Sequence, residues 1–108
     1  MNKLSTARAA VILSSGFGEM GGDGAALQAE IKASGLRILG PNCMGIYRLP
    51  DKLNGTYFWE LPRRAGNLAF VSQSGAYGGM LFGELRRRAM GISTFVSIGN
   101  QADITHAD

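Results

Sequence analysis

The chain has 108 residues, enough for one compact domain and too few for two. With 45% hydrophobic residues, 18% charged residues and a mean hydropathy of +0.03, it can bury a core and has no disorder signature. Much of the basic excess behind the net charge of +3 sits in two short arginine runs, residues 63–64 and 86–88, without interleaved aromatics. We therefore predict a solvated basic face and no nucleic-acid partner.

The cysteine count and the length of the apolar runs indicate the cellular compartment. The single cysteine, Cys43, excludes an intramolecular disulfide and is typical of a reducing environment. The longest apolar stretch, residues 9–13, is too short to span a bilayer, and the N-terminus lacks the order of a signal peptide. We predict a cytoplasmic protein with no membrane contact.

The first half of the chain has the pattern of a strand, a loop, a helix and a second strand. An apolar run at residues 9–13 precedes a small-residue loop at 14–18. Residues 23–33 then predict a helix, with Asp23 as its N-cap. A second strand is predicted at residues 36–39, before the Gly-Pro turn.

The second half repeats this order. A strand is predicted at residues 68–71, a loop at 72–75, and a strand at 93–98 after Gly91 ends the helix. The apolar stripe of that helix consists of Tyr77, Leu81, Leu85 and Ala89. Apolar strands that alternate with helices indicate an α/β fold with parallel pairing and helices over the sheet.

Residues 46–66 contain turn residues and aromatics without a sustained period, so they are predicted to be a connecting segment. Each flanking unit then supplies only two strands, too few for a normal sheet. The chain therefore has the pattern of the middle of a larger protein.

A literal GxGxxG pattern, Gly16, Gly18 and Gly21, follows the first predicted strand. A dinucleotide site also needs a carboxylate near the end of the next strand, and residues 36–45 contain neither Asp nor Glu. We therefore favour a glycine-rich loop for a ligand other than NAD or FAD.

The loop of Ser72, Gln73, Ser74 and Gly75 ends a predicted strand and opens a helix. Free N–H groups of the first helical turn, the helix dipole and two hydroxyls favour an anion such as phosphate. The alternative is that Ser74 only caps the helix. The predicted helix contains three further glycines, Gly78, Gly79 and Gly83. Each lowers helix stability relative to alanine, so together they indicate that a backbone or a ligand approaches closely.

Other candidates favour structural roles. We expect Cys43 to be a small buried hydrophobe, His106 to be a surface residue at the start of a third helix, and Asp103 to be a helix cap. No carboxylate pair or metal-ligand spacing stands out, so we predict neither a catalytic residue nor a metal site.

Five motifs in order carry a family resemblance over nearly the whole chain. They are residues 9–19 (AAVILSSGFGE), 40–45 (GPNCMG), 53–56 (LNGT), 70–75 (FVSQSG) and 96–103 (VSIGNQAD). With these motifs the chain resembles the NDP-forming acyl-CoA synthetases of the ADP-forming acetate–CoA ligase type, relatives of the succinyl-CoA synthetase α subunit.

The resemblance implies three regions. Residues 1–47 would be the closing part of a CoA-binding Rossmann-type domain, 48–66 a linker, and 67–108 the opening of a flavodoxin-like ligase domain. The implied reaction joins a carboxylic acid and CoA, with ATP converted to ADP and phosphate through a phosphorylated histidine outside these residues. ATP or ADP with magnesium would bind to an ATP-grasp domain or subunit, also outside the chain.

The resemblance also implies site residues. Ser14, Ser15, Gly16 and Asn42 would border CoA. The loop of Ser72, Gln73, Ser74 and Gly75 would face phosphate, in agreement with the anion site predicted from the loop itself.

Two departures from the family bear on function. Gly79 stands where the succinyl-CoA enzyme has a substrate-contacting tyrosine, so succinate is not supported, and His106 does not match the setting of the phosphorylated histidine. We expect no full reaction from this chain alone. The alternatives are a stand-alone CoA- or phosphate-binding module without chemistry, or a regulatory CoA-binding part of a protein acetyltransferase.

Overall fold

The computed structural model describes residues 6–108. The elements in chain order are β1 (Ala9–Val11), a 3-10 turn (Gly18–Met20), α1 (Gly22–Ala33), β2 (Arg37–Leu39), β3 (Gly45–Arg48), β4 (Leu53–Thr56), β5 (Ala65–Ser72), α2 (Gly75–Arg87) and β6 (Ile92–Ser97).

Two sheets organise the described residues. β1 and β2 form a parallel pair, and the second sheet has the order β4-β3-β6-β5, in which β5 and β6 are parallel. In both parallel pairs the strands are connected through a helix, because a parallel connection needs a long crossover. The α/β class and both parallel pairs are thus confirmed.

The segment predicted to be a linker, residues 48–66, contains structure that sequence reasoning missed. β4 lies within it and pairs antiparallel with β3, which in turn pairs antiparallel with β6. Tyr47 of β3 lies opposite Asn54 on one side and Phe95 on the other. The connecting segment therefore widens the second sheet, while the division into the domains 1–47 and 67–108 stays a prediction.

The main core lies between α2 and the second sheet. It is formed by Tyr47, Phe82, Leu85, Ile92 and Phe95, all nearly fully buried. The rings of Phe82 and Phe95 pack edge to face with centroids 4.9 Å apart and planes at 69°. This packing holds α2 in place against β6.

The glycines of α2 have different roles from the predicted one. A Cβ at Gly78 would overlap the ring of Phe95, so this glycine lets an aromatic side chain approach the helix. At Gly83 a Cβ would meet nothing within 4 Å. The expectation that a backbone or ligand closely approaches each glycine is wrong at Gly78, where a ring takes that place. No backbone approaches Gly83, and a ligand there stays a prediction.

A smaller core joins the two sheets. Leu39 and Cys43, at and after the end of β2, pack with Ile98 after β6. By contrast, α1 has no buried residue, and Leu27 on it is 43% exposed. The first sheet is therefore anchored to the second through β2 and the turn that follows it.

Asp103 does not cap a helix, because turns follow it up to residue 108. Its Oδ2 instead accepts a hydrogen bond from the Ile38 backbone N–H at 2.8 Å and pairs with Arg37 Nε at 2.9 Å. The carboxylate ties β2 to the C-terminal segment, so the prediction that Asp103 caps a helix is wrong. A third helix that starts at His106 stays a prediction. Neither helix within residues 6–108 has the length and apolar character to cross a membrane.

Candidate functional site

The loops that follow four parallel strands meet in one region. The Asn42 N–H, beyond β2, donates to the carbonyl oxygen of Ser14, beyond β1, at 2.9 Å. The Ile98 N–H, beyond β6, donates to the carbonyl oxygen of Ser72 at the end of β5, also at 2.9 Å. The Asn100 N–H donates to the Pro41 carbonyl oxygen at 2.9 Å and links the two pairs. Clefts at the carboxyl ends of parallel strands are the usual ligand sites of such sheets.

Ser14 and Ser15 line a cavity of about 440 Å³, which we call the serine cavity. Its other lining residues are Leu13, Cys43, Met44 and Tyr57. This volume lies in the ~300–1,000 Å³ range of small-molecule sites. Two hydroxyls among apolar side chains suit a ligand with both polar and apolar parts.

Cys43 is buried beneath this cavity. Its Sγ lies 3.4 Å from the Ile12 carbonyl oxygen, to which the thiol donates. Burial raises the pKa of the Cys43 thiol, because the thiolate would be poorly solvated. The structural role predicted for this cysteine is supported, since a neutral buried thiol is a poor nucleophile.

Gly16 lies in a loop held by Glu19. One carboxylate oxygen accepts hydrogen bonds from the Gly16 N–H at 2.5 Å and the Phe17 N–H at 3.2 Å. The other oxygen accepts from the side-chain amide of Asn100. These bonds, the Asn100 amide foremost, lower the pKa of Glu19 to about 2, so the carboxylate is ionised at neutral pH.

Asn42 and Asn100 connect the two units at the same point. The Asn42 amide donates to Asn100 Oδ1 at 3.3 Å, and the Asn100 amide also donates to Gln28 Oε1 at 3.0 Å. The Asn42 side chain is therefore directed to Asn100, and neither Asn42 nor Gly16 is among the residues that line the serine cavity. Sequence reasoning missed Glu19 and Asn100, because partners 81 positions apart leave no local pattern.

The loop at Ser72 forms a tight turn before α2. The Ser72 hydroxyl donates to the Ser74 carbonyl oxygen at 2.9 Å and lies 3.1 Å from the Ser74 N–H, which donates to it. Gln73 is exposed. The Ser72 side chain therefore stabilises the turn by local backbone hydrogen bonds.

Ser74 occupies the N-cap position with extended backbone angles, φ −88° and ψ 117°, yet its side chain makes no capping hydrogen bond. The prediction that its hydroxyl caps α2 is wrong. The first-turn N–H groups of α2 therefore have no partner from the Ser74 side chain, and free N–H groups at a helix start favour an anion.

Met44 lies between the two loops. A Cβ at Gly75 would overlap the Met44 Cγ, so the Met44 side chain packs directly over the first residue of α2. The same side chain lines the serine cavity. Sequence reasoning missed this residue, since it was only one position of the GPNCMG turn.

A second cavity, of about 330 Å³, adjoins Met44 and Tyr57 on the α2 side. Phe58, Trp59 and Phe82 give it an apolar lining, and we call it the aromatic cavity. Gly79 forms part of its α2 wall, and Arg86 pairs with Glu60 at 2.9 Å at its edge.

No group of three or more His, Cys, Asp or Glu side chains in residues 6–108 is arranged to hold a metal ion. His106 is exposed near the C-terminus.

Comparison with known proteins first identifies the class of the second unit. Residues 65–108, which include β5, α2 and β6, match the succinyl-CoA ligase-like flavodoxin domain family. The flavodoxin-like character predicted for this part of the chain is confirmed.

Individual relatives then show which proteins the chain is similar to. The α subunits of ADP-forming acetate–CoA ligases I and II from Pyrococcus furiosus are 45% and 40% identical over 101 and 102 residues. These alignments cover 90% and 91% of this chain but 22% of each relative, so the chain spans about a fifth of their length.

A solved structure agrees. Acetyl-coenzyme A synthetase 1 of Ca. Korarchaeum cryptofilum, in complex with phosphate and ADP, superposes with a TM-score of 0.79 at 40% identity, over 92% of this chain and 22% of that one. The resemblance to NDP-forming acyl-CoA synthetases is confirmed, and the chain is related to that family over most of its length.

Proposed function

We propose that the chain is a segment of an NDP-forming acyl-CoA synthetase, which joins a carboxylic acid to CoA while ATP is converted to ADP and phosphate. In this segment Ser14, Ser15, Gly16 and Asn42 contribute to CoA binding. The loop of Ser72, Gln73, Ser74 and Gly75 binds phosphate. The observation that carries the proposal is the convergence of both loops on Met44.

The chemistry of the serine cavity supports a CoA site. CoA ends in a chain with amides and a thiol, and the cavity combines the hydroxyls of Ser14 and Ser15 with the apolar walls of Leu13 and Met44. Gly16 allows the loop backbone a φ of +102°, which residues with a side chain rarely adopt. The neutral thiol of Cys43 leaves the ligand as the nucleophile in this proposal.

The start of α2 supports a phosphate site. The Ser72 turn leads directly into α2, whose first-turn N–H groups have no partner within the helix, and the Ser74 hydroxyl is not used as a cap. The N-terminal end of the helix dipole adds positive potential there. One of the related structures is described as a complex with phosphate and ADP.

Nucleotide and magnesium are assigned elsewhere. Residues 6–108 provide no carboxylate cluster for a metal ion. Because the family resemblance implies it, we place ATP or ADP and magnesium on an ATP-grasp domain or subunit and give this segment no step that involves them. The exposed apolar side chains of Val11, Leu13 and Leu27 fit a segment that packs against further protein.

Calorimetric titration with CoA tests the CoA site. Ser15→Leu should fill the serine cavity and abolish CoA binding, whereas Ser34→Leu, the same change at the exposed end of α1, should leave it intact. Equal CoA binding by both variants would contradict the proposed site. Binding of CoA without any activity in a completed enzyme would favour the non-catalytic module.

A further inference from the structure

The serine cavity and the aromatic cavity share one wall. Met44 and Tyr57 line both of them, and the remaining lining residues belong to one cavity or the other. A ligand that extends from the serine cavity toward α2 must therefore pass these two side chains.

The backbone of this wall is fixed. The Met44 N–H donates to the Oγ of Ser97, which is 0% exposed, at 2.9 Å. The Tyr57 N–H donates to the Met44 carbonyl oxygen at 3.0 Å. Because both backbone segments are held, only side-chain rotation can open the wall.

Of the two wall side chains, Met44 is half-buried between the cavities, whereas Tyr57 is 70% exposed. Methionine has an unbranched side chain with three rotatable bonds and adapts to irregular spaces. It lies over Gly75, where a Cβ would overlap its Cγ, so the space it occupies exists because position 75 lacks a side chain.

The aromatic cavity suits an uncharged apolar group. Phe58, Trp59 and Phe82 supply aromatic surface, while Arg86 is paired with Glu60 at the edge. Gly79 leaves space in the α2 wall, since a Cβ there would lie 3.5 Å from Phe58 Cε1, an ordinary contact.

We propose that Met44 sets the acyl-chain specificity of this segment: it separates the thiol end of CoA from an aromatic cavity that receives large apolar acyl groups. Short acyl groups stay on the serine side of the wall. Aryl or long apolar acyl groups enter the aromatic cavity only when Met44 rotates away. This inference rests on the proposed CoA site.

The test compares CoA, acetyl-CoA and phenylacetyl-CoA by calorimetric titration of wild type and Met44→Ala. Because Met44 also lines the serine cavity, the readout is the affinity for phenylacetyl-CoA relative to acetyl-CoA in the same variant, which should rise by about tenfold or more, as expected for new apolar contacts. The matched control is Met80→Ala, a methionine that is 72% exposed on another surface of α2 and should change none of the three affinities.

Trp59, the only tryptophan, lies at the edge of the aromatic cavity and is 91% exposed, so a bound group that covers it should change its emission. Phenylacetyl-CoA, and not acetyl-CoA, should change its emission in Met44→Ala. Gly79→Leu, which fills the aromatic cavity and leaves the wall in place, should weaken phenylacetyl-CoA binding by about tenfold while CoA binding is retained. This second variant decides the question even if Met44→Ala does not fold.

The outcomes separate the two claims. Retained CoA binding with an unchanged ratio of phenylacetyl-CoA to acetyl-CoA affinity in Met44→Ala, or in Gly79→Leu where Met44→Ala does not fold, overturns the role of Met44 and leaves the CoA site standing. Absence of CoA binding by wild type overturns the proposed function and this inference together.

Discussion

Ser74 is the residue at which a structural role and a phosphate-binding role make opposite predictions. Its hydroxyl makes no capping bond to α2, so Ser74→Ala should change the free energy of unfolding by less than about 0.5 kcal/mol. If the hydroxyl donates to phosphate, its loss should cost about 1.5–3 kcal/mol, the usual range for a hydrogen bond to a charged group. That range corresponds to about 10- to 150-fold weaker phosphate binding.

Ser74→Asp separates the two roles further. A carboxylate at the N-terminus of α2 interacts favourably with the helix dipole and should raise stability by about 0.3–1 kcal/mol. The same carboxylate would occupy the anion site and repel phosphate, so phosphate binding should fall below that of Ser74→Ala. Stability and phosphate binding are therefore expected to change in opposite directions.

The assay places this segment in a full-length acetate–CoA ligase and measures phosphate-dependent turnover and histidine phosphorylation, normalised for folded protein. Urea unfolding of the same variants supplies the stability values. If Ser74→Asp phosphorylates as well as wild type, the loop is only a structural turn. A loss of about 1 kcal/mol in Ser74→Ala would show that the hydroxyl caps the helix after all.

Three further predictions concern the frame of the site. Gly99→Ala should lower the unfolding free energy by about 2–4 kcal/mol in urea titrations, because φ is +55° and a Cβ would overlap a backbone carbonyl oxygen. The control is Gly83→Ala, at a helix position where a Cβ meets no other atom, and it should raise the unfolding free energy by up to about 1 kcal/mol. The folded-state pKa of Glu19, about 2, lies below the ordinary 4.5, so its contribution to stability is present above pH 4.5 and is lost as pH falls toward 2. Asn100→Ala should move that pKa upward in a carboxyl NMR titration, and an unchanged value would contradict the assigned cause. Cys43 should react slowly with a thiol reagent at pH 7 and rapidly in denaturant; fast reaction of the folded chain would contradict its burial.

The elements with a local signal could be predicted from the sequence. The β-branched run predicted β1, which ends at Val11 and not at residue 13, and the four-residue apolar spacing predicted α2. α2 ends at Arg87, so Ala89 of the predicted stripe lies beyond it, and Tyr77 is 61% exposed, so that Leu81 and Leu85 are the members that pack on the core. β4 could not be found this way, because its four residues, LNGT, have no apolar alternation and become a strand only through pairing with β3. The β3–β6 pairing joins residues about 50 positions apart, which no local pattern reveals.

The candidate site divides in the same manner. The Ser72 loop was identifiable because a strand end, hydroxyls and a helix start are adjacent in sequence. The absence of a capping hydrogen bond from Ser74 could not be predicted, since this turn is shaped by the bonds of the Ser72 hydroxyl to the Ser74 backbone. The positions of Met44 and Glu19 depend on contacts with Gly75 and Asn100, from distant parts of the chain.

The central claim, that one segment presents a CoA site beside a phosphate site, is tested most directly by amide NMR titration of this chain with CoA and then with phosphate. CoA should change the amide chemical shifts of Ser14, Ser15, Gly16 and Asn42, and phosphate should change those of residues 72–75. Shifts confined to other surfaces, or no shifts at ligand concentrations that saturate a full-length relative, would contradict it.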